Sequence, residues 1–217
     1  MLPDSVELRV LGCLIEKQRT TPDAYPLTLN SLRLACNQST NRDPVVDYDE
    51  STVRGALDRL GARGWVRLAT WSDRRTKKYR HLLGDALGVS TAEQALLCLL
   101  MLRGPQTSAE LRQRSDRLHP FDSGDQVEEV LSALAERELV ADAPREPGRR
   151  GKRYRHRLDG GEGEQAPAAS QAAMEEAPPA SKPPAGDGLA DRVSSLEEEL
   201  AALRSDLDSL HRELGAG

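Results

Sequence analysis

Apolar residues recur along the first 158 positions in a pattern that is written twice. Val6, Val10, Leu11, Leu14 and Ile15 lie at helical spacing, as do Ala95, Leu96, Leu99 and Leu100, which predicts helices over 5–17 and 91–103. Pro26 and Pro105 each precede a short Thr-bearing segment and a second helix, over 29–37 and 108–116. The third helices, 50–62 and 124–137, carry Val53, Ala56, Leu57 and Leu60, or Val127, Val130, Leu131 and Leu134, on one buried stripe. Gly64 ends the first of them. Two short strands follow in each half. "WVRLATW" runs into "KKYRHLL" and "LVADA" into "KRYRHRL", joined by the basic loops "SDRRT" and "PREPGRRG".

The echo reaches beyond the strands. "LGCLI" (11–15) aligns with "LLCLL" (96–100), "PLTLNSLRLACN" (26–37) with "PQTSAELRQRSD" (105–116), and "LDRLGARGWV" (57–66) with "LSALAERELV" (131–140). The offset moves from 85 to 79 to 74 to 75, as it does when two copies of one domain diverge by loop insertion. Helix, short strand, helix, helix, hairpin is the order of a winged helix, whose third helix enters a DNA groove and whose hairpin is the wing. The expected fold is therefore mainly α, of the α+β type, with two tandem winged-helix domains at 1–84 and 90–158. Tyr79 and Tyr154 are expected to pack on their own domains.

Beyond 158 the pattern changes. Of the 30 residues in 159–188, 18 are Ala, Gly or Pro, a composition that buries no core and reads as a flexible linker. From there Leu189, Val193, Leu196, Leu200, Leu203, Leu207, Leu210 and Leu214 alternate spacings of 4 and 3, the seam of a coiled coil over 189–214. With Val193 at a and Leu196 at d, Arg192 faces Glu197, Glu199 faces Arg204 and Asp206 faces His211 in a parallel homodimer. Self-association through this helix is expected; an amphipathic helix folded back on its own domains is the alternative.

Charge follows the same division. Residues 1–158 hold 26 Lys and Arg against 22 Asp and Glu, a balance of +4, and 159–217 hold 4 against 13, a balance of −9, which together make the net −5. The start, "MLPDSVELRV", has no basic n-region or apolar h-region, and no apolar run approaches the roughly 18 residues of a membrane span, so a cytoplasmic protein is expected. Cys13, Cys36 and Cys98 have no metal-ligand spacing and read as buried thiols. Arg outnumbers Lys 25 to 5, in keeping with a bacterial, GC-rich source.

The stretches "TTPDAYPL", "ACNQSTNRDPV" and "RGPQTSAELR", with "PGRRGKRYRHRL", resemble the YceH family of bacterial proteins over 5–158. The resemblance implies a tandem winged-helix fold followed in many members by a C-terminal coiled coil. It implies no catalytic or binding residue.

The candidate chemistry is cationic. Arg74, Arg75, Lys77, Lys78 and Arg80 in one wing, and Arg149, Arg150, Lys152, Arg153 and Arg155 in the other, place five cations in seven residues twice, a density that attracts phosphates by counterion release. On the third helix of the first copy, Arg54 and Arg59 are the candidate DNA contacts, among Asp49, Glu50 and Asp58. The third helix of the second copy carries Asp125, Glu128, Glu129 and Glu136, which suits a groove badly and a basic protein partner better. The loop "NQSTNRDPVVDYDE" (37–50) reads as a structural connector, with Arg42 and Asp43 as a local ion pair. No glycine-rich phosphate loop or Gly-x-Ser-x-Gly is present, and the four histidines lie apart, so no enzyme, cofactor or metal is expected. Seven aromatic residues are too few for stacking platforms for single strands. The expected function is regulatory binding of double-stranded DNA, oligomerised by the tail; a protein-interaction scaffold on tandem winged helices is the alternative.

Overall fold

The computed structural model describes residues 2–69, 77–144 and 151–159. They belong to a compact unit spanning 1–164, while the second unit, 165–217, with the coiled-coil seam and nearly all of the linker, lies outside the described residues. The fold is helix-rich α+β with two small antiparallel sheets.

The first repeat runs α1 (Ser5–Thr20), a short 3-10 turn, β1 (Leu27–Thr28), α2 (Leu29–Cys36), α3 (Glu50–Ala62), β2 (Val66–Ala69) and β3 (Lys78–His81). A short helix α4 (Leu83–Leu87) leads to α5 (Thr91–Arg103), α6 (Ser108–Ser115), α7 (Gly124–Glu136), β4 (Val140–Asp142) and β5 (Tyr154–His156). Local chemistry starts these helices. Asp4, Ser90 and Thr107 form capping boxes with Glu7, Glu93 and Glu110, and Thr28 and Asp49 accept the orphan N–H groups of Ser31 and Thr52. The Thr of each Pro-led segment is thus the N-cap of the second helix in both repeats. Gly64, at φ +74°, takes the left-handed conformation that ends α3.

The sheets repeat as well. In the first, β3 lies between β1 and β2, with Leu27 opposite Tyr79. In the second, β4 pairs with β5, and Gln106, the counterpart of Leu27, bridges to Tyr154, the counterpart of Tyr79. Tyr154 is buried and Tyr79 packs against the core, as expected.

Two expectations are corrected. The "KKYRHLL" strand stops at His81, because Leu83 turns into the core as the first residue of α4 and is fully buried. Arg42 does not pair locally with Asp43. Its side chain is wholly buried and meets Glu16 of α1 at 2.6 Å, because a desolvated guanidinium needs a counter-charge, while the Ala35 and Asn41 carbonyls and the Gln38 amide oxygen take its other N–H groups. The loop between α2 and α3 is anchored at several points. Asn37 exchanges hydrogen bonds with the Tyr48 backbone at 2.8 and 2.9 Å, and Arg9 donates to the carbonyls of Cys36 and Pro44.

The two repeats share one hydrophobic cluster, joined chiefly where α1 packs on α5. Leu11, Leu14, Ile15, Leu96, Leu97 and Leu100 are all buried there, and Cys13, Cys36 and Cys98 are buried free thiols.

Candidate nucleic-acid interface

The cationic hairpins are built on the same plan and carry their charge differently. In the first, alternation along β3 turns Tyr79 and His81 toward the core and Lys78 and Arg80 to the opposite face. The His81 ring is held as a neutral imidazole. Its Nε2 lies 2.7 Å from the Gln18 amide oxygen and its Nδ1 faces the Leu83 N–H, while its own backbone N–H donates to the Tyr25 hydroxyl at 2.8 Å. Burial, with Arg19 and Arg80 nearby, pushes the His81 pKa down to about 4. Burial likewise pushes the Tyr25 phenol up to about 12.

Register sets the outer face. Arg67 of β2 lies directly opposite Arg80 of β3, and neither enters an ion pair with any described residue. Like charges opposite one another across an antiparallel pair repel. Lys77 and Lys78 stand beside them, also without a carboxylate partner among the described residues. Arg67 escaped the sequence reading because alternation shows only that it faces away from Val66; the opposing arginine comes from register.

In the second hairpin the corresponding pair is Ala141 opposite Arg155. Its cations are engaged. Lys152 meets Asp142 at 3.1 Å and lies 4.8 Å from the centre of the Tyr154 ring, and Arg153 meets Glu110 at 3.4 Å and donates to the Pro105 carbonyl. The Tyr154 hydroxyl donates to Glu128 at 2.6 Å, so one of the α7 carboxylates is taken up within its own repeat. Burial lowers the His156 pKa, as it does that of His81. Arg74, Arg75, Arg149 and Arg150 lie outside the described residues.

On α3, Arg54 is exposed, 3.8 Å from Glu50. Arg59 points back to α1, 2.8 Å from Asp4 and 3.2 Å from Glu7, and Arg63 reaches the same buried Glu7 carboxylate. Of the two candidate helix contacts, only Arg54 presents its charge away from the body of the repeat.

The family model for "Protein of unknown function, DUF480" matches residues 3–149, which covers nearly all of the first repeat and most of the second. The chain belongs to the DUF480 family. It is 44% identical to a UPF0502 protein of Pelobacter propionicus over 215 residues, covering 98% of this chain and 94% of the relative. It is 52% identical over 162 residues to a UPF0502 protein of Geobacter sulfurreducens, covering 74% of each. A third, from Citrifermentans bemidjiense, is 54% identical over 153 residues, covering 70% of this chain and 71% of the relative. The DUF480 match therefore takes in the Arg67–Arg80 hairpin and most of the second repeat. No helix among the described residues is long and apolar enough to cross a membrane.

Proposed function

We propose that this DUF480 chain is a cytoplasmic, non-enzymatic, duplex-DNA-binding protein of regulatory type, built from two tandem winged helices and oligomerised by its C-terminal heptads. The resemblance to the YceH family supports the tandem winged-helix part of this reading. The observation that carries it is the Arg67–Arg80 pair. Two arginines in register opposite one another, Arg67 exposed and Arg80 half-buried, with Lys77 and Lys78 beside them, make a site whose repulsion a phosphate backbone relieves. The first wing does most of the phosphate work, because the second has Lys152 and Arg153 engaged internally. The exposure of Arg54 on α3 supports a groove contact from that helix. Such contacts position the protein more than they read sequence.

The test is fluorescence anisotropy of a labelled mixed-sequence duplex across a salt series. Replacing Arg67 and Arg80 with Gln should flatten log affinity against log salt by about 0.9 for each phosphate that is no longer neutralised, whereas Lys152→Gln should change it far less. Absence of duplex binding at low salt would sink the DNA reading. The scaffold reading would then lead, supported by the exposed carboxylates Asp125, Glu129 and Glu136 on α7, which suit a basic protein surface.

A further inference from the structure

The loop between α2 and α3 crosses to the second repeat, where the Asp43 N–H donates to the Leu102 carbonyl at 2.9 Å. A two-lobed cleft lies at this join. The outer lobe, about 540 Å³, sets the guanidinium groups of Arg42, Arg103, Arg114 and Arg153 against the carboxylates of Asp43 and Glu110. The inner lobe, about 220 Å³, shares Asn41, Arg103 and Arg114 with it and is walled by Leu99, Leu102 and Leu118, with Thr20, Arg117 and Glu16, the last paired with Arg42, completing its lining. Together they have the size of a small-molecule site, of the order of 300–1,000 Å³.

The four arginines have different duties. Arg42 spends its N–H groups on Ala35, Asn41, Gln38 and Glu16, so it contributes field and no further bond. Arg153 leans on Glu110 and Pro105. Arg114 lies 3.6 Å from Glu110 and is aimed by the Gln106 amide oxygen at 2.7 Å, and Gln106 is itself 1% exposed and tied through its Nε2 to the Leu99 and Gly104 carbonyls. The Arg103 side chain makes no hydrogen bond or ion pair with any described residue, although it is half-buried beside the others. Burial lowers its pKa, and repulsion from Arg114 and Arg42 adds to that, outweighing the attraction of Glu16 and Glu110. Guanidinium stays protonated in proteins, so crowding of this kind is relieved by an anion and not by loss of a proton.

We infer that the cleft binds a small phosphate ester with an apolar or aromatic body. The free fork of Arg103 and the remaining N–H groups of Arg114 take the phosphate bidentately, in the field of Arg42, and the body lies along Leu99, Leu102 and Leu118. Asn41 belongs to the first repeat and α5 and α6 to the second, so an occupant touches both and raises the unfolding temperature of the whole unit. The inference stands apart from duplex binding, since none of these residues belongs to the first hairpin.

The experiment uses the full chain, with calorimetric titration and thermal unfolding against AMP, naphthyl phosphate, naphthol and a short DNA duplex. AMP and naphthyl phosphate should bind saturably with Kd below about 1 mM and raise the unfolding temperature, and naphthol should do neither. Arg103→Gln should weaken both phosphate probes by about 10- to 100-fold, the drop that follows removal of charge-assisted hydrogen bonds. The unliganded variant should melt close to the parent, because the Arg103 side chain has no hydrogen bond or ion pair among the described residues to lose. No saturable binding of either phosphate probe, or equal binding by parent and variant, overturns the assignment. So does a duplex that displaces naphthyl phosphate and itself depends on Arg103, which would make the cleft a DNA contact.

Discussion

The thiol of Cys98 donates to the backbone carbonyl of Gly12 at 3.3 Å, linking α5 of the second repeat to α1 of the first at the centre of their shared core. So close an approach of backbone to side chain needs the absent side chain of Gly12. A Cβ there would stand 2.9 Å from Cγ and Cδ2 of Leu102. Replacing Gly12 with Val should destabilise the 1–164 unit by about 2 kcal/mol through overpacking, read as a lower urea midpoint. An unshifted midpoint would mean that α1 and α5 have slack, and the close-packed join would be wrong.

Arg42 and Glu16 make the second long-range tie, and their burial predicts an asymmetric response. Arg42→Ala leaves the largely buried Glu16 carboxylate with only Lys17, at 3.5 Å, as counter-charge and should cost about 3 kcal/mol. Replacing both residues, Arg42 by Met and Glu16 by Gln, should cost clearly less than Arg42→Ala alone, since no charge is stranded. Urea unfolding of the two variants decides it; equal destabilisation would show that the pair is solvated.

Acid should weaken the fold in two stages. His81 has a folded-state pKa of about 4, below its ordinary value because burial excludes the charged form, so the unfolded chain takes up a proton first as pH falls. Its contribution to stability is lost between about pH 6.5 and 4, by up to about 3 kcal/mol, and His156, lowered in the same direction, adds to the same window. Burial alone would raise the Glu16 carboxyl, but the Arg42 hydrogen bond and charge outweigh it and hold the pKa low, so that pair gives way only at lower pH. His81→Gln should flatten unfolding free energy against pH in the upper window. A slope identical to the parent's would show that His81 is not held neutral.

The heptads predict a separable oligomer. Deleting 187–217 should leave a folded monomer, because Leu158, the last core residue of the second repeat, is 5% exposed and closes the packing ahead of the linker. Substituting Leu200 and Leu207 with Lys should have the same effect on mass in light scattering. A monomeric parent at tens of micromolar would leave the helix as an intramolecular amphipathic segment.

The local parts of this protein are legible in its residue order. The 3.6-residue stripes of Val53, Ala56, Leu57 and Leu60, and of Val127, Leu131 and Leu134, mark helices because burial repeats with the turn of the helix. Thr28 and Thr107 mark helix starts because a cap bonds only three residues ahead. The doubled Tyr-centred strand announces two hairpins. Periodicity tells which face is covered and is silent on what covers it. The opposition of Arg67 and Arg80 depends on register, the choice of Glu16 over adjacent Asp43 for Arg42 depends on which carboxylate is brought into the interior, and the arginine cleft depends on two repeats meeting at Gly12. Those relationships join residues far apart in the chain, decided by the packing of finished elements, and no local pattern contains them.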